Sequence, residues 1–217
     1  WRYLQTTDKV RVTFRKACEH IENVTEFSFS GSQSILFDWC RIRHPYLFER
    51  VKKAVKTGRF ELVGGSWCEP DTHMPSGESW VRQRLYGQLF YKKHFNKYAE
   101  IDWVPDSFGF TNSIPQILAK SNTSRFLTGK LNQNDTTKFP FSTFWWQSPD
   151  GSKVLAECLI DASLDSDWED TRHSHRLLKK GVQRSIAAFN YESKDFDNNP
   201  AFAEEINSRL VCLYGKG

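Results

Sequence analysis

Asp106 stands in the run Trp103-Val104-Pro105-Asp106-Ser107-Phe108-Gly109-Phe110, directly after an apolar, β-branched stretch over 101–104. That stretch reads as a short buried strand. Pro105 ends it, because proline has no N–H to give to a sheet ladder. A carboxylate is thereby set on stiff backbone just past a strand end, where α/β folds place their chemistry. There Asp106 could act as nucleophile, as acid or base, or as metal ligand. It could equally cap the helix that follows, as Asp often does.

A second segment of the same kind runs from Gly64 to Ser79, again beginning where a strand (60–63) ends, and carries Trp67, Glu69, Asp71 and His73. Asp71 and His73 could be a metal pair, and Glu69 an acid. Such loops also use Asp and Glu to satisfy nearby backbone donors, and a lone Asp-x-His is a weak motif. His173 and His175 have ligand-like spacing as well, within a polar stretch that reads as solvated loop. The sequence contains no glycine-rich phosphate loop and no G-x-S-x-G elbow.

These residues need a scaffold, and the apolar periodicity supplies one. Helical spacing over 7–21 puts Val10, Phe14, Ala17, Cys18 and Ile21 on one side. Alternation over 27–30 predicts a strand ending at Gly31. Two helical runs, 34–43 and 45–57, part at His44-Pro45, and Gly58 is placed to cap the second. Ser76-Gly77-Glu78-Ser79 opens the longest helix, to about residue 94, with Leu85, Leu89 and Phe90 inward. A helix over 114–120 and a strand over 125–128 follow. A hairpin with arms 144–147 and 153–156 turns at Ser148-Pro149-Asp150-Gly151. In its first arm, Phe144 and Trp146 should face away from Trp145. Helical patterns return at 177–189 and 201–210, before a final strand pattern. Strands alternating with helices predict an α/β fold with a largely parallel sheet.

Composition narrows the function. A chain of 217 residues with 39% hydrophobic and 26% charged residues suits one soluble domain with a real core. A net charge of +4 is too small and dispersed for nucleic-acid binding. The densest basic stretch, 50–56, is the wet face of a helix, with Val51 and Val55 turned inward. No segment is long and apolar enough to span a membrane. The aromatic share is high, 15% with 8 Trp. Flat rings suit a sugar-binding cleft, or they fill a large core. Five scattered cysteines without a C-x-x-C pair indicate neither a zinc ribbon nor a disulfide framework.

Several ordered motifs together resemble the α-mannosidases of glycoside hydrolase family 38, in their cytosolic and vacuolar type. They are Arg59-Phe-Glu-Leu-Val-Gly-Gly-Ser-Trp-Cys-Glu-Pro-Asp71, Pro75-Ser-Gly-Glu-Ser79, Val81-Arg-Gln83, Trp103-Val-Pro-Asp-Ser-Phe-Gly109 and Phe126-Leu-Thr-Gly-Lys130. Ser32-Gln33, Pro45-Tyr-Leu-Phe-Glu49 and Thr143-Phe-Trp-Trp146 agree as well. The resemblance implies that 1–217 is part of the family's N-terminal catalytic domain, a mostly parallel, seven-stranded β/α barrel left incomplete at both ends. It implies a retaining α-mannosidase acting on terminal α-mannosyl residues of oligosaccharides or N-glycans. Asp106 would be the nucleophile and also a zinc ligand, with Lys130 and Trp67 as substrate contacts. A cytoplasmic or vacuolar/lysosomal location and a homo-oligomeric intact protein fit the same resemblance.

The departures carry expectations of their own. The family's His-x-Asp metal pair would precede Trp1, and its acid/base Asp would follow Gly217. Phe141 replaces a His, and Glu157-Cys-Leu-Ile-Asp-Ala-Ser163 replaces a proline-containing segment. One carboxyl cannot do two-carboxyl chemistry, so the chain by itself is expected to be inactive. Its sheet is expected to keep unpaired edges. Two other readings remain open at this level. One is a non-catalytic carbohydrate-binding remnant built around Trp67. The other is a metal-dependent barrel hydrolase such as a polysaccharide deacetylase, with Asp71 and His73 as ligands.

Overall fold

Helix α1 (Tyr3–Asn23) buries Val10, Phe14, Ala17, Cys18 and Ile21, the stripe that helical spacing turns inward. The computed structural model describes residues 2–129 and 143–158. After α1 come β1 (Phe29–Gly31), α2 (Ser34–Arg43), α3 (Pro45–Lys56), β2 (Phe60–Leu62) and α4 (Gly77–Phe95). Then follow β3 (Ile101–Trp103), α5 (Ile114–Lys120), β4 (Arg125–Thr128), β5 (Thr143–Gln147) and β6 (Lys153–Cys158). The patterns at 177–189 and 201–210 lie outside the described residues.

The expected mixed α/β fold with mainly parallel strands is present. β1 runs parallel to β2, and β3, β4 and β6 run parallel to one another in that order. Gly64 N–H donates to Ile101 O at 2.8 Å and joins the two sets. β5 pairs antiparallel with β6, closed by the turn that Gly151 permits with φ +85°. The first strand starts later than alternation suggests. Phe27 N–H is spent on Val24 O in a turn, and the ladder begins at Phe29, whose N–H donates to Arg59 O at 2.8 Å.

Helices pack on one face of these strands. Phe14, Phe37, Phe60 and Tyr91 anchor a core beneath α1–α4, with Val51 and Val55 fully inside it as expected. Trp80, Val104, Ile114, Leu118, Phe126, Val154 and Ala156 form a second core. Phe144 and Trp146 pack against that second core, while Trp145 faces the other way and is 58% exposed.

The inward face of α4 departs from expectation. Leu85 and Leu89 are 52% and 51% exposed, and the buried stripe is Trp80, Arg84, Gly87, Phe90 and Tyr91. Close approach is the reason. A Cβ at Gly87 would lie 2.4 Å from Gly65 O and 2.7 Å from Trp67 N, so only glycine lets the helix rest on this loop. Arg84 then reaches under it. Its guanidinium donates to Gly64 O at 3.0 Å, Asp102 Oδ1 at 2.7 Å and Thr123 Oγ1 at 2.7 Å, all out of water. Hydrophobic periodicity cannot register a face chosen by one small residue and one buried cation.

Candidate functional site

The loops that leave β1, β2 and β3 at their C-terminal ends meet one another. Ser34 N–H donates to Ser66 O at 3.1 Å and Ile35 N–H to Trp67 O at 2.9 Å, fastening the first loop to the second. α4 holds the second from below, with Trp67 N–H bonded to Gln83 O at 2.8 Å and Cys68 N–H to Gln83 Oε1 at 3.1 Å. The second and third loops are joined at three places. Glu69 Oε1 accepts Asp106 N–H at 3.0 Å. Ser107 Oγ donates to Pro70 O at 2.5 Å, and Thr72 Oγ1 to Gly109 O at 2.6 Å. The His73 ring lies against Gly109, where an added Cβ would come within 2.4 Å of it.

Asp106 is exposed on this platform, three residues past the end of β3. It does not cap α5, whose N-cap position is Ser113. Trp67 is half-buried, its ring edge-on to Phe90 with centroids 5.8 Å apart and packed against the first core. Lys130 lies outside the described residues. Phe108, two residues beyond Asp106, is an 81% exposed aromatic on the same loop.

Among the described residues no three His, Cys, Asp or Glu side chains come together to hold an ion. Asp71 Oδ1 instead accepts His73 N–H at 3.2 Å, the local turn bond that Asp makes in loops. None of the four described cysteines is in a disulfide, and Cys18, Cys40 and Cys158 are buried. No described helix is long and apolar enough to cross a membrane. The described residues alone therefore do not make up a complete metal site.

The strand face opposite the helices also carries Glu157. Register sets Trp103 beside Leu127, Leu127 beside Glu157, and Glu157 beside Thr143. Burial pushes the Glu157 carboxyl up to about 7, against a smaller downward pull from the Thr143 hydroxyl, which donates to Glu157 Oε2 at 2.5 Å. A carboxyl whose pKa is higher folded than unfolded stabilises the fold below its unfolded pKa, and that stability is lost as pH rises through about 7. Glu157→Gln should therefore change the melting temperature little at pH 5 and raise it by about a few degrees at pH 8. Thermal melts at the two pH values read this directly. An equal shift at both would mean that Glu157 does not titrate as described.

Sequence reasoning read Glu69 only as a candidate acid and gave Gln33 no role of its own, whereas both side chains knit the loops. Gln33 carried a signal. It follows the Gly31 strand end in the Ser32-Gln33 match and takes φ +64°.

Residues 1–198 match the family described as glycosyl hydrolases family 38, N-terminal domain. α-Mannosidase G of Dictyostelium discoideum is 39% identical over 217 residues, covering all of this chain and 18% of that protein. α-Mannosidase 2C1 of Homo sapiens is 39% identical over 155 residues, 71% of this chain and 15% of its own length. The crystal structure of an α-mannosidase from Enterococcus faecalis superposes with a TM-score of 0.67 at 25% identity, over 88% of this chain and 21% of that one. The chain thus spans less than a fifth of the curated relatives quoted.

Proposed function

Because the chain belongs to glycosyl hydrolase family 38, by the match of its N-terminal domain over residues 1–198, we propose that it forms the nucleophile-bearing part of a retaining α-mannosidase. The observation that carries this reading is the placement of Asp106. It is an exposed carboxylate at the C-terminal end of β3, and its own N–H is tied to the neighbouring loop through Glu69. The substrates would be terminal α-mannosyl residues of oligosaccharides or N-glycans. Completion of the sheet into a seven-stranded barrel would gather the loops described above around the sugar.

In this mechanism an Asp106 oxygen attacks the anomeric carbon as the leaving oxygen departs with a proton from a second carboxyl. A glycosyl ester forms on Asp106, and water then displaces it with the second carboxyl acting as base. Two inversions give net retention. Trp67 and Lys130 would contact the sugar, and zinc would take Asp106 as one ligand.

The test uses the polypeptide extended to the length of its relatives, with an aryl α-mannoside as substrate. Proton NMR of the first mannose released should show the α-anomer before mutarotation. A first-formed β-anomer, or no release under any metal supplement, would sink the proposal. The unextended chain, run alongside, tests the expectation that it is inactive.

A further inference from the structure

We infer that Glu69 and Gln33 are positioning residues for the reaction proposed above, fixing the backbone of Asp106 without touching substrate. The inference rests on Asp106 being the nucleophile. Both oxygens of the Glu69 carboxylate accept bonds along a line that crosses three loops. Oε1 takes Asp106 N–H at 3.0 Å, and Oε2 takes a hydrogen from Gln33 Nε2 at 3.3 Å. Glu69 is therefore an acceptor on each side.

Gln33 pays for its place with backbone conformation. Its φ of +64° and ψ of +98° are values that residues with a Cβ rarely adopt. The bonds from Ser34 N–H and Ile35 N–H to the β2 loop hold it there. On the other side of the line, Asp106 is flanked by Pro105, with its fixed φ, and by Ser107, anchored to Pro70 O. With its amide held and both neighbours restrained, the Asp106 backbone has little freedom to move. A nucleophile profits from such restraint, since a displacement of about 1 Å can cost about a hundredfold in rate.

The experiment compares Glu69→Ala, Glu69→Gln and Gln33→Ala in the extended polypeptide, with an aryl α-mannoside as substrate. Glu69→Ala should lower kcat about ten- to a hundredfold, with KM changed less than about threefold. Glu69→Gln keeps an oxygen for Asp106 N–H, and its new amide N–H can donate to the Gln33 side-chain oxygen once that amide turns over. It should return kcat to within about threefold of the parent, with an unaltered pH profile. Gln33→Ala should fall between them. Amide exchange at Asp106 should quicken in Glu69→Ala and not in Glu69→Gln. Equal losses in the two Glu69 variants would show that charge or proton transfer matters, and would overturn the inference. So would an unaltered kcat in Glu69→Ala, or a lower melting temperature with kcat per folded molecule unchanged. Any of these three results from an active parent leaves the mannosidase reading standing. An inactive parent instead removes that reading, and this inference with it.

Discussion

Asp106→Asn in the extended polypeptide should be at least about a thousandfold slower than the parent on an aryl α-mannoside while remaining folded. The amide has nearly the shape of the carboxylate but cannot form the glycosyl ester. The bond to Glu69 comes from the Asp106 backbone N–H, so the substitution leaves that tie in place. The side chain is exposed, and its replacement should alter stability by no more than about 0.5 kcal/mol. Asp106→Gly carries the sharper test. Added azide should occupy the vacated volume, attack the anomeric carbon directly and expel the aryloxide. One displacement in place of two gives the β-mannosyl azide, an inverted product that thin-layer chromatography and NMR identify. Rescue by azide with retained α-configuration, or wild-type rates in Asp106→Asn, would remove Asp106 from the nucleophile's role.

Where the sequence and the structure agree, the cause is local. Pro105 after a β-branched run, the Ser148–Gly151 turn and the apolar stripe of α1 each act over a few residues, so their outcome can be read along the chain. Where they differ, the cause crosses loops. Glu69 and Asp106 lie 37 positions apart, and no spacing announces that one holds the other's amide. Asp71 and His73 look like a ligand pair on paper, yet the Asp71 carboxylate is turned to the His73 amide. The face of α4 misleads for a related reason. Leu85 and Leu89 mark the stripe that hydrophobicity prefers, but the fit of Gly87 against the Gly65–Trp67 backbone and the reach of Arg84 decide the rotation. Buried polar residues are scored as surface by any periodicity argument.

Arg84→Met should cost about 3–5 kcal/mol in urea unfolding at pH 8, because it strands a buried carboxylate. Arg84 and Asp102 are both almost wholly out of water, paired at 2.7 Å. Among the described residues Asp102 Oδ2 has no hydrogen-bond partner, so the guanidinium is the carboxylate's main compensation there. In the parent, burial pushes the Asp102 carboxyl up to about 6, and Arg84 pulls against that. Without Arg84 the folded pKa goes higher still. A carboxyl whose folded pKa exceeds its unfolded value contributes stability that is present at low pH and lost as pH rises through the folded value. The deficit of Arg84→Met should therefore shrink on acidification to pH 5, where Asp102 can take up a proton. Adding Asp102→Leu should recover most of the loss at pH 8, since replacing a whole buried pair with apolar groups is often neutral. The site should register the same change, because Arg84 also holds Gly64 O at 3.0 Å, at the root of the loop that carries Glu69. Destabilisation of the same size at pH 5 and pH 8, or no recovery in the double variant, would show that the stranded carboxylate is not what the fold is suffering from.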